Sequence, residues 1–166
     1  MNNPIILASS SGQNLALAHR YADAAKSLGL NPAVIELAAL HLPLYCAQLE
    51  AMGPGPTFQE FSESMQRAQA FVVCAPEYNG SMPPVLINAI TWLSRSTDDF
   101  RAIFNGKPIA LATHSGGGGQ KVLLGMRVLF SHLGCTVIGR DMLATKNKPP
   151  RHATMMAQLE GLARLT

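Results

Sequence analysis

Long hydrophobic runs are missing from this sequence. Its longest apolar stretches, such as Ala70–Ala75 and Ile109–Ala112, are strand-length, far short of the roughly 20 residues a membrane-spanning helix needs. Met1-Asn2-Asn3-Pro4 has no basic region, and the apolar run after it is too short for a signal peptide. No membrane association is expected, and the cytoplasm is the expected compartment. Charge is scarce as well, at 14% of residues. The 13 lysines and arginines are scattered, with no run of five or six, which argues against a nucleic-acid surface. A net charge of +3 suits small anionic ligands better. The cysteines Cys46, Cys74 and Cys135 match neither zinc spacing nor a Cys-x-x-Cys pair, so they read as buried, reduced thiols. The histidines His19, His41, His114, His132 and His152 show no metal spacing. Hydrolase and phosphate motifs are missing too: there is no Gly-x-Ser-x-Gly elbow, and Pro108 after Gly106-Lys107 breaks a Walker A ending.

What is present is apolar and regular. Hydrophobic residues make up 48% of the 166, enough for one domain with a sizeable core over residues 1–166. Short apolar runs alternate with helical patterns along the chain. Ile5–Ala8 reads as a strand, and Asn14–Leu28 as a helix with Leu15, Ala18, Ala22, Ala25 and Leu28 on one face. Ala33–Leu37 reads as a second strand, followed by an irregular stretch over His41–Pro56. Thr57 and Glu60 have the spacing of a capping box for a helix through Ala68. Ala70–Ala75 is a third strand, and Pro83-Pro84 opens a helix to about Ser94. Pro108–Thr113, Thr136–Gly139 and the helices Lys121–Leu133 and Ala153–Leu165 complete the series. Such alternation implies a mostly parallel sheet with helices on both faces.

In an open sheet of this kind, ligands sit beyond the carboxyl ends of the strands. Three loops there have unusual chemistry. Ser9-Ser10-Ser11-Gly12-Gln13-Asn14 precedes a helix, where unpaired amides and the helix dipole favour a terminal phosphate; the plainer alternative is a polar turn with a serine cap. Pro76-Glu77-Tyr78-Asn79-Gly80-Ser81 can bring backbone groups to the edge of a planar ring, or form a tight surface turn. His114-Ser115-Gly116-Gly117-Gly118-Gly119-Gln120 offers free amides to a carbonyl or a ring anion, with a flexible lid as the alternative.

The segment Pro76–Arg95, Pro-Glu-Tyr-Asn-Gly-Ser-Met-Pro-Pro-Val-Leu-Ile-Asn-Ala-Ile-Thr-Trp-Leu-Ser-Arg, closely resembles the signature of the NADPH-dependent FMN reductase family. Leu42-Pro43-Leu44-Tyr45 resembles that family's segment after strand two, and the serine and glycine loops fall where its phosphate and flavin loops fall. The resemblance implies a flavodoxin-like three-layer sandwich, with a five-stranded parallel sheet of order 2-1-3-4-5. It implies an FMN phosphate held by Ser9, Ser11, Gln13 and Asn14, and an isoalloxazine ring contacted by Pro76, Glu77, Tyr78, Asn79 and Gly80. Ser115, Gly116, Gly117 and Gly118 would lie at the pyrimidine edge of the ring. The first loop departs from the family pattern: many members carry an arginine where this chain has Ser10-Ser11.

The activity implied is a ping-pong reaction from NADPH or NADH, through bound FMN, to a small acceptor: a quinone, flavin, azo compound or metal oxyanion. The flavin carries the chemistry, so no catalytic side chain and no metal are expected. Homodimers or homotetramers are implied, with the Trp92 helix near the contacts. Around the ring the roles stay open. Glu77 either bonds to the flavin or caps the turn, and Tyr78 stacks on the ring or shapes the cleft. His114 reads first as a solvent-facing loop residue and second as a proton donor to a reduced quinone. The competing functional readings are a flavodoxin-type electron carrier, disfavoured by the positive net charge, and a non-catalytic flavin-binding module.

Overall fold

The computed structural model describes residues 3–166; Met1 and Asn2, part of the segment read for a leader, lie outside the described residues. Its centre is a parallel sheet of order β2-β1-β3-β4-β5. β1 (Ile5–Ala8) lies between β2 (Ala33–Glu36) and β3 (Phe71–Cys74), and β4 (Pro108–Ser115) follows β3. These central strands are apolar almost throughout because both of their faces are covered. Order and direction are those of the flavodoxin-like class.

The two faces are packed differently. Ile5, Leu7, Phe71, Val73, Ile109 and Leu111 point to α3 (Thr57–Arg67), α4 (Pro84–Arg95) and α5 (Gln120–His132). Large side chains fill that side. Phe104 stands 5.8 Å from Phe71 and 6.0 Å from Phe130, ring centre to ring centre. Each such fully buried ring contributes about 2–3 kcal/mol by leaving water. The opposite face presents Ile6, Ala8, Val72, Cys74, Ala110 and Ala112 to α1 (Gln13–Ser27) and α6 (His152–Ala163). Its many alanines allow those helices to lie close. One polar group is sealed there: Gln158 accepts a hydrogen bond from the Tyr21 hydroxyl and donates to the carbonyls of Leu111 (3.0 Å) and Arg140 (2.8 Å).

The fifth sheet position is divided. β5 is only Thr136–Val137, paired with Pro108–Ile109, and β6 (Met142–Thr145) pairs with Ala112–Ser115. The Ile138 amide still donates to the Ile109 carbonyl at 3.0 Å, and residues 139–141 then leave the sheet; Arg127 of α5 donates to the Ile138 carbonyl at 3.0 Å and the Asp141 carboxylate at 2.6 Å. A strand over Thr136–Gly139 is therefore corrected to two short ones. The Gln158 amide meets the Leu111 carbonyl at the level of this break.

Two further local expectations change. The face of α1 that is buried consists of Asn14, Leu17, Ala18, Tyr21, Ala22, Ala24 and Ala25, while Leu28 is exposed. At α3 no capping box forms. The N-cap is Pro56 without a side-chain bond, and the Thr57 hydroxyl donates to the Leu40 carbonyl at 2.9 Å. It thus ties the helix to the 3-10 turn Leu37–Leu40. Within the irregular stretch a single helical turn, α2 (Ala47–Glu50), forms. Among the described residues no helix is long and apolar enough to cross a membrane.

Candidate functional site

β1, β3 and β4 are neighbours in the sheet and parallel, so the serine loop, the Pro76–Ser81 loop and the glycine loop emerge side by side. Their roots are stitched together. Ser9 N donates to the Cys74 carbonyl at 3.0 Å, and Ala75 N to the Ala112 carbonyl at 3.0 Å.

Two residues of the serine loop belong to this framework. Ser9 is buried and its hydroxyl donates to the Cys74 carbonyl at 3.2 Å. Asn14 is buried, donates through Nδ2 to the His114 carbonyl and accepts through Oδ1 from the His114 amide, both at 2.9 Å. Both polar ends of the Asn14 amide are thus engaged in clamping α1 to the end of β4. Ser11, Gly12 and Gln13 are exposed. Gly12 is the N-cap of α1, no side chain caps it, and no acidic residue lies in the first turn. The leading amides of α1 and the positive end of its dipole face outward, with Ser11 and Gln13 beside them.

The second loop is a two-residue hairpin. Tyr78 and Ser81 exchange backbone hydrogen bonds of 3.0 and 2.9 Å around Asn79 (φ 51°) and Gly80 (φ 70°). This is the left-handed geometry that Asn-Gly supports. Pro76 is buried at its root and Tyr78 is 49% exposed at its rim. Glu77 reaches sideways: its Oε2 accepts from the amides of Lys121 (3.1 Å) and Val122 (3.3 Å) at the start of α5. A Cβ on Gly80 would come within 3.3 Å of the Lys121 side chain.

In the third loop Ser115 is buried at the end of β4, where its hydroxyl accepts from Gly117 N at 3.3 Å. Gly116, Gly117 and Gly118 are exposed, and Gly119 is buried. The reasons for the glycines differ. Gly119 has φ 76°, and a Cβ there would stand 2.9 Å from Thr113 Cγ2, so the fold itself demands it. A Cβ on Gly12, Gly116 or Gly117 would meet nothing within 4 Å, and none of the three has positive φ. Internal packing gives no reason for a missing side chain at these positions.

The expected residues Ser11, Gln13, Pro76, Glu77, Tyr78, Asn79, Gly80, Ser115, Gly116, Gly117 and Gly118 therefore stand on adjoining loops at one end of the sheet, and Ser9 and Asn14 lie beneath them as struts. His114 follows the alternation of Ala110 and Ala112 and so projects to the α1 side of β4. Three features escape a linear reading. The Glu77 cap and the Asn14 clamp span 44 and 100 residues. The third joins Tyr45, Glu50 and Arg95: the Tyr45 hydroxyl donates to Glu50 at 2.9 Å and Arg95 Nε at 2.7 Å. Bonds from Arg95 first and Tyr45 second hold the Glu50 carboxyl below the usual range. Trp92 packs edge-on against Tyr45 and donates to the Pro43 carbonyl at 2.7 Å, fastening the Leu42–Tyr45 segment to α4.

Of the three cysteines expected to be buried, Cys74 and Cys135 are, whereas Cys46 is exposed on the loop after β2. Burial pushes the Cys74 thiol far up and the Cys135 thiol up to about 12, so neither is a thiolate near neutral pH. Among the described residues no group of His, Cys, Asp or Glu could hold a metal ion.

The chain is similar to known reductases. It is 36% identical to an NAD(P)H-dependent FMN reductase of Pseudomonas aeruginosa, over 70% of this chain and 63% of that protein. It is 35% identical to a quinone reductase of Escherichia coli, over 66% of this chain and 60% of that protein. These matches span about three fifths of the relatives' lengths. In three dimensions it superposes on a flavoenzyme NAD(P)H:(acceptor) oxidoreductase of Paracoccus denitrificans with a TM-score of 0.72, at 18% identity, over 99% of this chain and 94% of that one. The model of the family described as NADPH-dependent FMN reductase matches residues 4–149, and this chain belongs to that family.

Proposed function

We propose that this chain is an NAD(P)H-dependent reductase that holds FMN across the three loops and passes electrons to a small acceptor in a ping-pong reaction. One observation carries the reading: Gly12, Gly116 and Gly117 lack side chains where neither packing nor backbone geometry requires it. A ligand lying against the backbone supplies the missing reason.

The residues fit FMN part by part. A phosphate dianion suits the uncapped, acid-free start of α1, with Ser11 and Gln13 as added donors. α5, the helix that opens from the glycine loop, is already closed by the Glu77 carboxylate. That contrast supports a phosphate at the serine loop and the ring at the glycine loop. When bound, FMN supplies the two-electron chemistry, accepting hydride from a pyridine nucleotide and delivering electrons to the acceptor. The chain's part is to orient and stabilise. The exposed amides of Gly116 and Gly118 would offer donors to the pyrimidine edge, where negative charge gathers on reduction, while the Gly117 amide is held by the Ser115 hydroxyl. The Asn79-Gly80 hairpin would bring backbone to the edge of the ring, and Tyr78 would border the face left for donor and acceptor. Ser9, Asn14 and Glu77 act from beneath by fixing the three loops to one another. The acceptor class is a quinone, flavin, azo compound or metal oxyanion.

A homodimer or homotetramer is part of the proposal. Leu124 and Val128, four residues apart on α5, are each 65% exposed, forming an apolar stripe on the helix that opens from the glycine loop. A second subunit seated there would help wall the acceptor cleft. A cytoplasmic location agrees with three free cysteines.

The test is a visible absorption spectrum of the purified protein with added FMN, followed by anaerobic NADPH. The expected result is bound flavin whose bands bleach. Bound flavin that NAD(P)H does not bleach would support a flavodoxin-type carrier, which the net charge of +3 already disfavours. No bound flavin would overturn the proposal.

A further inference from the structure

Beside the serine loop, on the α1 face of the sheet, lies a cavity of about 140 Å³. Gln13, Leu17 and Arg20 of α1 form one wall, and His114 at the end of β4 forms the floor. The turn from β6 to α6, through Thr145, Lys146 and Pro150, closes it. No carboxylate lines it. The space suits a phosphoryl group with a few waters.

We infer that this cavity is a second phosphoryl-binding site, beside the start of α1 and sharing Gln13 with it. Two observations carry the inference. First, its cations are unpaired. Lys26, Arg67, Arg95, Arg127 and Arg164 each sit on a carboxylate. Among the described residues, the exposed side chains of Arg20 and Lys146 have no hydrogen-bond or ion-pair partner; those of Lys121, Arg140 and Arg151 have none either, but Arg20 and Lys146 share this cavity. Two like charges around one cavity repel, and a dianion between them removes that repulsion. Second, the walls are held in place. The reciprocal Asn14–His114 bonds lock α1 to β4 at the floor. Thr145 and Lys148 exchange backbone bonds of 2.8 and 3.1 Å, Lys148 N also donates to the Thr145 hydroxyl, and Pro149-Pro150 stiffen the exit.

Arg20 and Pro150 also border an adjoining groove of about 440 Å³ that runs between α1 and α6 past Asp23, Ser27 and His152. There is room in it for a body attached to the phosphoryl group. Two sources share this chemistry: free phosphate, and the 2′-phosphate of NADPH. Only the second rests on the reductase reading.

The test is NMR of the protein, with and without FMN, titrated separately with inorganic phosphate and with adenosine 2′-phosphate. Saturable shifts are expected at the Arg20 Nε–H and the His114 ring. Arg20→Gln or Lys146→Gln alone is expected to weaken binding about tenfold, a charge-assisted hydrogen bond's worth, and the double variant to abolish it. Tighter binding of adenosine 2′-phosphate identifies the dinucleotide as the source, and equal affinity identifies free phosphate. Absence of shifts at Arg20 and His114, or shifts unchanged in the double variant, would overturn the inference. The readout needs no hydride transfer, so phosphate shifts without NADPH oxidation would remove the reductase reading and leave this site standing.

Discussion

The Glu77 carboxylate caps α5 through the amides of Lys121 and Val122, at 3.1 and 3.3 Å. A residue on the loop after β3 thereby closes the helix that begins after β4, and its charge meets the positive end of the helix dipole. The hairpin and the glycine loop become one unit, with α5 as its anchor.

If that link matters, Glu77→Ala costs about 1 kcal/mol of stability, the usual loss for a helix cap. Glu77→Gln keeps an acceptor and loses only the charge, about 0.5 kcal/mol. Urea unfolding of the three proteins measures both, and an FMN titration reads weaker binding in the same order. Identical unfolding curves would show that the cap contributes nothing.

The glycines of the third loop should separate by role. Gly119→Ala forces a Cβ against Thr113 Cγ2 at φ 76° and is expected to cost about 1–3 kcal/mol. Gly117→Ala meets open space and should leave stability within about 0.5 kcal/mol. Its effect belongs to the cofactor: FMN affinity is expected to fall at least about tenfold as backbone–ring contact is lost. A Gly117→Ala protein that binds FMN normally would remove the main support for flavin on this loop.

Gln158 is a buried side chain whose removal leaves several groups without partners. Gln158→Leu orphans the Leu111 and Arg140 carbonyls and the Tyr21 hydroxyl, an expected loss of about 2–4 kcal/mol. Tyr21→Phe removes one bond and should cost about 1 kcal/mol. In the double variant the two losses should add to less than their sum, which a double-mutant cycle by thermal or urea unfolding checks directly.

Glu50 sets a pH dependence. Bonds from Arg95 and Tyr45 lower its carboxyl in the folded chain, whereas in the unfolded chain it titrates near ~4.3. Its contribution is therefore fully present above ~4.3 and lost as pH falls through the lower folded value. Glu50→Gln should be less stable than the parent at neutral pH, and the two should converge once the pH has fallen below the lowered folded value. Unfolding midpoints measured from pH 3 to 7 test this; a gap independent of pH would assign the loss to packing.

Legibility followed distance along the chain. Ala70–Ala75 read as a strand because an unbroken apolar run buried on both faces carries its own signal, and Phe71–Cys74 is that strand. The fifth strand read poorly because its path breaks over residues 139–141, where Arg127 holds the Ile138 carbonyl and the Asp141 carboxylate, and nothing in Thr136–Thr145 announces this. Thr57 failed as a cap for a similar reason: the Leu40 carbonyl, 17 residues away, took its hydroxyl.

Local pattern alone determined the strand–helix alternation, the three loops and the family signature at Pro76–Arg95, because apolar period and turn chemistry act over a few residues. Only the tertiary structure decided which loop residues face outward and which brace the frame. Asn14 and His114 are 100 residues apart, and Glu77 and Lys121 are 44 apart. A buried amide or a helix end takes whichever partner the fold brings within about 3 Å, and sequence spacing holds no record of that.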